Sequence, residues 1–285
     1  MIRKILVPVR GDGKGDNVLA HAAAIAHRHT SHVVVVHCRP RPQDLMPYGI
    51  YIPDFLRKQL VEQSYKLADQ EEAGLRDELR TLALKLNLDD SGNKIGKVAS
   101  VEFVEEAGRQ VDVIKRRGRL ADVIAVAKPD RDRNLGANTL KAALFHSGRP
   151  VLMCPPRATP PESLSAKVTI AWNGSAEAAQ ALSRCKSILR GADTIWALSN
   201  GTDAGPGTSV DDLISYLKLH DIKATVEKFS ASEKAGRELL RVSAGLGADM
   251  MIMGAYGDSH ERETIFGGNS QAVVDTATMP VLLNH

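Results

Sequence analysis

The sequence predicts an α/β protein built from two copies of one domain, each with a five-stranded parallel sheet covered by helices. The chain has 285 residues, which corresponds to about two domains of ordinary size. Short apolar segments rich in β-branched residues alternate with segments of helical periodicity, which is the pattern of βαβ units. The same order of segments also occurs twice along the chain.

The first half contains five predicted strands, each a short apolar run. They cover Ile5–Pro8, His32–His37, Val98–Val104, Val123–Val126 and Val151–Met153. A helix is predicted over Val18–Ala26, directly after the first strand. A second, long and charged helix is predicted from Phe55 to about Leu84, within an insert that is much shorter in the second half.

The second half repeats this order of segments. Lys167–Ser175 has the pattern of Lys4–Asp12, an apolar run closed by a polar residue, a glycine and a small polar residue. A helix is predicted over Val210–Leu219. Three further pairs keep the order: Thr194–Leu198 with Val33–His37, Ala248–Met253 with Ala121–Val126, and Pro280–Leu283 with Pro150–Met153. Agreement over so many segments predicts a duplicated domain.

The predicted domains cover residues 1–156 and 165–285. Between them, Cys154–Pro161 contains two Pro-Pro pairs with polar neighbours. Proline-rich segments of this kind form short, stiff and extended linkers.

Composition and charge exclude several classes of protein. Hydrophobic residues make up 43% of the chain, so full disorder is excluded. No run approaches the roughly 18 apolar residues of a membrane-spanning helix, and we expect a cytoplasmic protein with no membrane partner. The net charge is +3, from 37 basic and 34 acidic residues, which is too small to indicate binding to nucleic acid.

No catalytic residue and no metal ligand is assigned from the sequence. The three cysteines form no CxxC pair, so we expect them to be small buried apolar residues. The histidines of the first half do not show the HExxH pattern of zinc hydrolases. Asp258–Glu261 is interpreted as an exposed loop segment that is able to contact a nucleotide or its Mg²⁺.

A cluster of glycines near the C-terminus is the most specific signal. Gly254 and Gly257 follow the buried strand Met250–Met253, and after nine residues Gly267–Ser270 opens a helix. Ligands of open α/β sheets bind beyond the carboxyl ends of strands, and a helix N-terminus offers free N–H groups to an anion. The segment therefore predicts a phosphate cradle. Alternatively, these glycines only form turns and caps.

The G-x2-G-x9-G pattern, between an apolar strand and a helix that closes on Pro-Val-Leu-Leu, resembles the universal stress protein family. The resemblance extends over both halves and implies a tandem of two Rossmann-like, adenine nucleotide alpha hydrolase-like domains. It also implies that the two domains pair through their last strands. Some members of this family bind ATP and others do not.

The resemblance also implies a set of site residues. The phosphate-contacting positions are Gly254, Gly257, Gly267, Gly268, Asn269 and Ser270. Ala171 and Trp172 would line the base region, and Asn173 stands where ATP-binding members usually have an aspartate. Asparagine can still form a hydrogen bond with a ribose hydroxyl, but it has no charge. A second departure is that Gly268 and Asn269 stand before Ser270, where the family has a serine or threonine directly.

The first half departs further from the pattern. Ala127 and Asp130 replace the first two glycines, and only five residues separate Asp130 from Gly136. Arg10 replaces the acid after the first strand. Because an acid repels phosphate unless a metal lies between them, we predict that this half does not bind ATP in the family manner and acts as a structural partner of the second half.

The leading hypothesis is a stress-response protein that binds an adenine nucleotide, ATP with Mg²⁺, in the second half. Weak ATP hydrolysis or autophosphorylation follows from family analogy only. The alternative is a nucleotide-free scaffold that interacts with other proteins. A third hypothesis is a nucleotide-dependent enzyme, which would need a catalytic group that the sequence does not reveal. A homodimer of the chain is a further expectation.

Overall fold

A computed structural model describes the chain at residues 1–9, 15–39, 53–133, 135–156, 161–200, 208–230, 235–255 and 268–285. Ten strands lie in these ranges. They are β1 (Lys4–Val9), β2 (His32–Arg39), β3 (Ser100–Ala107), β4 (Val123–Ala127), β5 (Val151–Cys154), β6 (Lys167–Ala171), β7 (Thr194–Ser199), β8 (Thr225–Lys228), β9 (Met250–Gly254) and β10 (Val281–Asn284).

Helices alternate with these strands in both halves. Within the described residues they are α1 (Gly15–His29), α2 (Asp54–Lys85), α3 (Gln110–Gly118), α4 (Ala137–His146), α5 (Ala176–Arg190), α6 (Val210–Leu219), α7 (Ala235–Gly245) and α8 (Gly268–Thr276). None of them is long and apolar enough to cross a membrane.

The strands form one ten-stranded sheet in the order β3-β2-β1-β4-β5-β10-β9-β6-β7-β8. Neighbouring strands are parallel within each half. The halves join where β10 pairs antiparallel with β5, with Leu282 opposite Leu152. Each half is thus a five-stranded parallel sheet, as predicted, and the last strands pair as the family resemblance implies.

Helices cover both faces of the sheet. Successive side chains of a strand point to opposite faces, so Ile5 and Val7 contribute to one apolar cluster and Leu6 to the other. The first cluster packs beneath α1, α2, α5 and α6, and the second beneath α3, α4, α7 and α8. Both clusters continue across the β5–β10 junction, so the two halves share their cores.

The predicted strands and helices agree closely with those observed. The bounds of the predicted first-half strands differ from the observed bounds by at most two residues, except that β3 ends three residues later than predicted, and α6 has the predicted bounds. All three cysteines are buried, as expected. Burial raises the pKa of both the Cys154 and the Cys185 thiols, so they stay protonated and act as small apolar residues.

Candidate functional site

A cavity of about 400 Å³ opens at the carboxyl ends of β6, β7, β8 and β9. The strand order reverses between β6 and β9, which is where open α/β sheets bind ligands. The described residues that line it are Ala171, Trp172, Asn173, Ser175, Glu177, Asn200, Phe229, Ala235, Leu239, Met253, Gly254, Gly268, Asn269 and Ser270. Its volume is in the range of small-molecule sites.

Three helices begin at this cavity. Ser175 is the N-cap of α5, Ala235 begins α7, and α8 begins at Gly268. The first N–H groups of a helix have no partner within the helix, and the helix dipole makes that end positive. The three helices therefore direct positive potential and N–H donors toward the same space, which favours an anionic ligand.

Gly254 and Gly236 allow the elements around the cavity to approach closely. A Cβ on Gly254 would lie 2.5 Å from the backbone nitrogen of Ala178, in the first turn of α5. A Cβ on Gly236 would overlap the carbonyl oxygen of Asn269, at the start of α8. Both glycines are thus required by backbone packing, which brings β9 against α5 and α7 against α8.

Gly268 differs from these two glycines. Among the described residues, a Cβ at this position would meet no atom within 4 Å, although the residue lines the cavity. Packing against the described residues therefore does not explain the missing side chain. A glycine here leaves room for a ligand to approach the backbone at the start of α8.

Trp172 lines the cavity and forms hydrogen bonds with the backbone at the start of α6. The residue is only 8% exposed. Its indole N–H donates to the carbonyl oxygens of Thr208, at 3.0 Å, and Ser209, at 3.2 Å. Ser209 is in turn the N-cap of α6, where it forms a capping box with Asp212. The indole is therefore held in place before any ligand arrives.

Asn173 helps to shape the turn before α5. Its side-chain oxygen accepts a hydrogen bond of 3.2 Å from the N–H of Ser175. Ser175 then accepts a 3.2 Å hydrogen bond from the N–H of Ala178 and so caps the helix. Because the oxygen of Asn173 is already engaged, the group that this side chain offers to a ligand is its amide NH₂, which is a donor.

The electrostatics of the cavity depend on few charges. Among the described lining residues, Glu177 has the only ionisable side chain. It lies in the first turn of α5, where a carboxylate stabilises the helix. The same negative charge opposes the binding of phosphate. Any anion in the described part of the cavity is therefore held by helix N-termini and not by lysine or arginine.

The structure brings the predicted site residues together as far as it describes them. Ala171, Trp172 and Asn173 come from the end of β6, and Gly254 from the end of β9. Gly268, Asn269 and Ser270 form the start of α8 on the same cavity. Gly257, Gly267 and the segment 258–261 lie outside the described residues.

Several lining residues were not predicted from the sequence. Asn200 and Phe229 directly follow β7 and β8, and Glu177 is the second residue of α5. A signal for the first two exists, because residues after parallel strands reach the ligand-binding edge of the sheet. Phe229 was missed because β8 itself was not predicted.

The corresponding loop of the first half is short and is held together by its own hydrogen bonds. The backbones of Asp130 and Leu135 exchange hydrogen bonds of 2.9 and 3.0 Å. The carboxylate of Asp130 accepts from the N–H of Arg133 at 3.2 Å. Within the parts of the chain that the structure covers, no cluster of three His, Cys, Asp or Glu side chains could hold a metal ion.

The comparisons with known proteins agree with this architecture. The profile of the universal stress protein family matches residues 1–153 and 166–285. No curated protein matches the chain in sequence.

Solved structures share the fold at low sequence identity. A universal stress protein from Archaeoglobus fulgidus DSM 4304 has a TM-score of 0.69 and 16% identity, over 99% of this chain and 97% of that chain. A protein from Pseudomonas aeruginosa UCBPP-PA14 has a TM-score of 0.56 and 18% identity, over 99% and 93%. A functionally unknown protein from Pseudomonas aeruginosa PAO1 has a TM-score of 0.55 and 17% identity, over 99% and 92%. With both of its halves matched by the same family, the chain belongs to the universal stress proteins as a tandem of two such domains.

Proposed function

We propose that the second half binds an adenine nucleotide, ATP with Mg²⁺, in the cavity between β6 and β9, and that the chain is a regulatory binding protein of the stress response. The observation that supports this most is the convergence of three helix N-termini on one cavity. In this proposal the phosphates face the start of α8, where Gly268 leaves the backbone open.

The apolar part of the cavity lining suits a base. It consists of apolar and aromatic residues: Ala171, Trp172, Phe229, Leu239 and Met253. Aromatic and aliphatic surfaces bind a flat heterocycle by stacking and by burial of apolar area. The preference for adenine over other bases follows from the family resemblance alone. Mg²⁺ bound to the phosphates would screen them from Glu177, the acidic residue of the cavity.

The test is calorimetric titration of the full chain with ATP and Mg²⁺, comparing the natural protein with Gly268→Val. A Cβ at position 268 meets no atom of the described residues within 4 Å, so we expect folding to be unchanged. It occupies the space beside the backbone N–H groups of α8, so we expect affinity to fall at least about tenfold, which is 1.4 kcal/mol.

Gly245→Val is the matched control. Gly245 also lies in a helix, at the far end of α7, and a Cβ there also meets no atom within 4 Å. Its affinity for ATP should equal that of the natural protein. Equal affinity in Gly268→Val and Gly245→Val would reject the proposed position of the phosphates.

A second function, a nucleotide-free scaffold, is favoured by one observation. The single charge on the described cavity wall is the carboxylate of Glu177, and Asn173 replaces the usual acid next to it. If the natural protein shows no heat of binding with ATP, ADP or AMP, the scaffold hypothesis replaces the nucleotide one.

A further inference from the structure

The C-terminal end of α8 is held by the first half of the chain. The ammonium group of Lys128 donates a hydrogen bond of 3.0 Å to the carbonyl oxygen of Ala277, directly after the helix. The guanidinium of Arg131 lies 3.0 Å from the carboxylate of Asp275, in the last turn. Both cations belong to the loop after β4, the counterpart of the glycine-rich loop of the second half.

This contact lies on the helix that opens the proposed binding site. α8 has nine residues, so it is about 13 Å long. Isolated helices of this length are marginal in water, and tertiary contacts fix their position. The start of α8 packs on α7 at Gly236, and its other end lies against Lys128 and Arg131. A shift at the C-terminal end therefore moves the N–H groups at the cavity.

The charges at this end of α8 explain why a partner is needed. Asp275 is a carboxylate at the negative end of the helix dipole, where it is unfavourable. Its neighbours are Gln271, which donates to it from the previous turn, and Arg131. Lys128 is a cation at a helix C-terminus, which is favourable. Burial lowers the pKa of Lys128, and the charge of Asp275 opposes that shift.

Among the described residues, this cationic contact runs from the first half to the second. Ala255 is the counterpart of Lys128, because its N–H donates to Asn284 just as that of Lys128 donates to Cys154. On this side the end of α4 meets an aromatic ring: Phe145 and His285 are in edge-to-face contact at 4.8 Å. The cationic contact thus runs from the half with the short loop to the half with the cavity.

We propose that Lys128 and Arg131 of the first half form a clamp that positions α8 and thereby sets the ligand affinity of the second half. The inference rests on the proposed function for its effect on affinity. The first domain would then be a regulatory partner of the binding site. Lys128 is the stronger member, since it is half-buried, whereas the Arg131 side chain is 68% exposed and an exposed ion pair contributes at most about 1 kcal/mol.

The experiment compares Lys128→Met with Lys128→Arg in the full chain, by two measurements. Hydrogen exchange of the ligand-free protein reports on the amides of α8. Calorimetry reports on affinity, with ATP and Mg²⁺ as the probe. In Lys128→Met we expect faster exchange throughout α8 and about fivefold weaker ATP binding, the lower end of usual coupling energies. Lys128→Arg keeps the charge and a hydrogen-bond donor, so its α8 exchange and its ATP affinity should equal those of the natural protein.

Asp193→Asn is the matched control, because it removes another ion pair between the halves. Arg28 and Asp193 are 2.6 Å apart. Asp193 directly precedes β7 and so lies at the amino ends of the strands, whereas the cavity lies at their carboxyl ends. This variant should leave α8 exchange and ATP affinity unchanged. An equal loss of affinity in Asp193→Asn would show a general effect of domain pairing and overturn the clamp.

The two proposals fail in different ways. If the natural protein binds ATP and Lys128→Met binds it equally well, the clamp is wrong and the nucleotide function stands. If the natural protein binds no ATP, the nucleotide function is wrong, and hydrogen exchange decides the clamp: unchanged α8 exchange in Lys128→Met rejects it, and faster exchange supports it.

Discussion

Single residues around the cavity have distinct roles that the sequence pattern does not separate. The pattern assigned Gly254 and Gly268 to the same task, contact with phosphate. In the structure, a Cβ on Gly254 would collide with the first turn of α5, whereas one on Gly268 would meet none of the described residues. Gly254 is thus explained by packing alone, and Gly268 is the better probe of ligand binding.

Replacing Glu177 by glutamine should change ATP affinity and protein stability in opposite directions. In Glu177→Gln, loss of the negative charge should strengthen ATP binding about threefold without Mg²⁺ at low salt. The gain should shrink with Mg²⁺. The same change removes a carboxylate from the first turn of α5, so stability should fall by about 0.5 kcal/mol.

Calorimetry and urea unfolding measure these two effects. Glu162→Gln is the control, since Glu162 is an exposed acid that precedes β6 at the opposite edge of the sheet. It should change neither quantity. Weaker binding in Glu177→Gln would mean that the carboxylate contacts the ligand favourably.

His29 predicts a dependence of stability on pH. It lies between the halves, with its Nε2 3.4 Å from the hydroxyl of Ser165 and its ring against Gly191. Burial, and then the charge of Arg28, lower its pKa from 6.5. The unfolded chain therefore binds more protons near pH 6 than the folded chain, so stability falls as pH drops through 6.5.

The measurement is the midpoint of thermal unfolding between pH 7.5 and 6.0. Over this range, the midpoint of the natural protein should fall by on the order of 2 °C more than the midpoint of His29→Gln. Asp249 acts in the opposite sense at more acidic pH, because burial raises its pKa from 3.8. Identical slopes in the two proteins would show that His29 is not the titrating group.

At the scale of elements, the contact between α7 and α8 shapes the cavity. Gly236→Ala places a methyl group on the carbonyl oxygen of Asn269, so the two helices must separate. We expect a loss of about 1–3 kcal/mol in the free energy of unfolding and weaker ATP binding. Gly245→Ala, at the open end of the same helix, should instead gain up to about 1 kcal/mol.

Urea unfolding and ATP titration of both alanine variants test this prediction. A stabilised Gly236→Ala protein with unchanged affinity would mean that the two helices can separate without consequence for the site.

Elements with strong local signals could be predicted from the sequence, and elements fixed by distant contacts could not. α6 was predicted with its observed bounds because an apolar face starts directly at Val210. β8 was missed because it is a four-residue edge strand with no fully buried side chain. Such a strand is defined by its pairing with β7, and its sequence alone shows little alternation.

At the scale of the whole molecule, the duplication predicted the sheet of each half and the place of the site. The residues after β9 were identified because the glycine pattern is local, and those at the end of β6 followed from the family resemblance. Glu177 was missed because it reaches the cavity only when α5 packs on β9. The contacts of Lys128 and Arg131 with α8 join residues more than a hundred positions apart, and only the assembled sheet reveals them.

The antiparallel β5–β10 junction joins the two halves in one sheet, but their ligand-side loops differ. The first half has a short loop closed by Asp130 and Leu135, and the second half has the cavity with three helix N-termini. We therefore expect the natural chain to bind one nucleotide, in the second half.

The most direct test is a crystal structure of the full chain grown with ATP and Mg²⁺. The account predicts one nucleotide per chain, with phosphate oxygens within hydrogen-bonding distance of the backbone N–H groups of Gly268–Ser270 and with the base against Trp172. A nucleotide bound instead at the first-half loop, or phosphates turned away from α8, would contradict it.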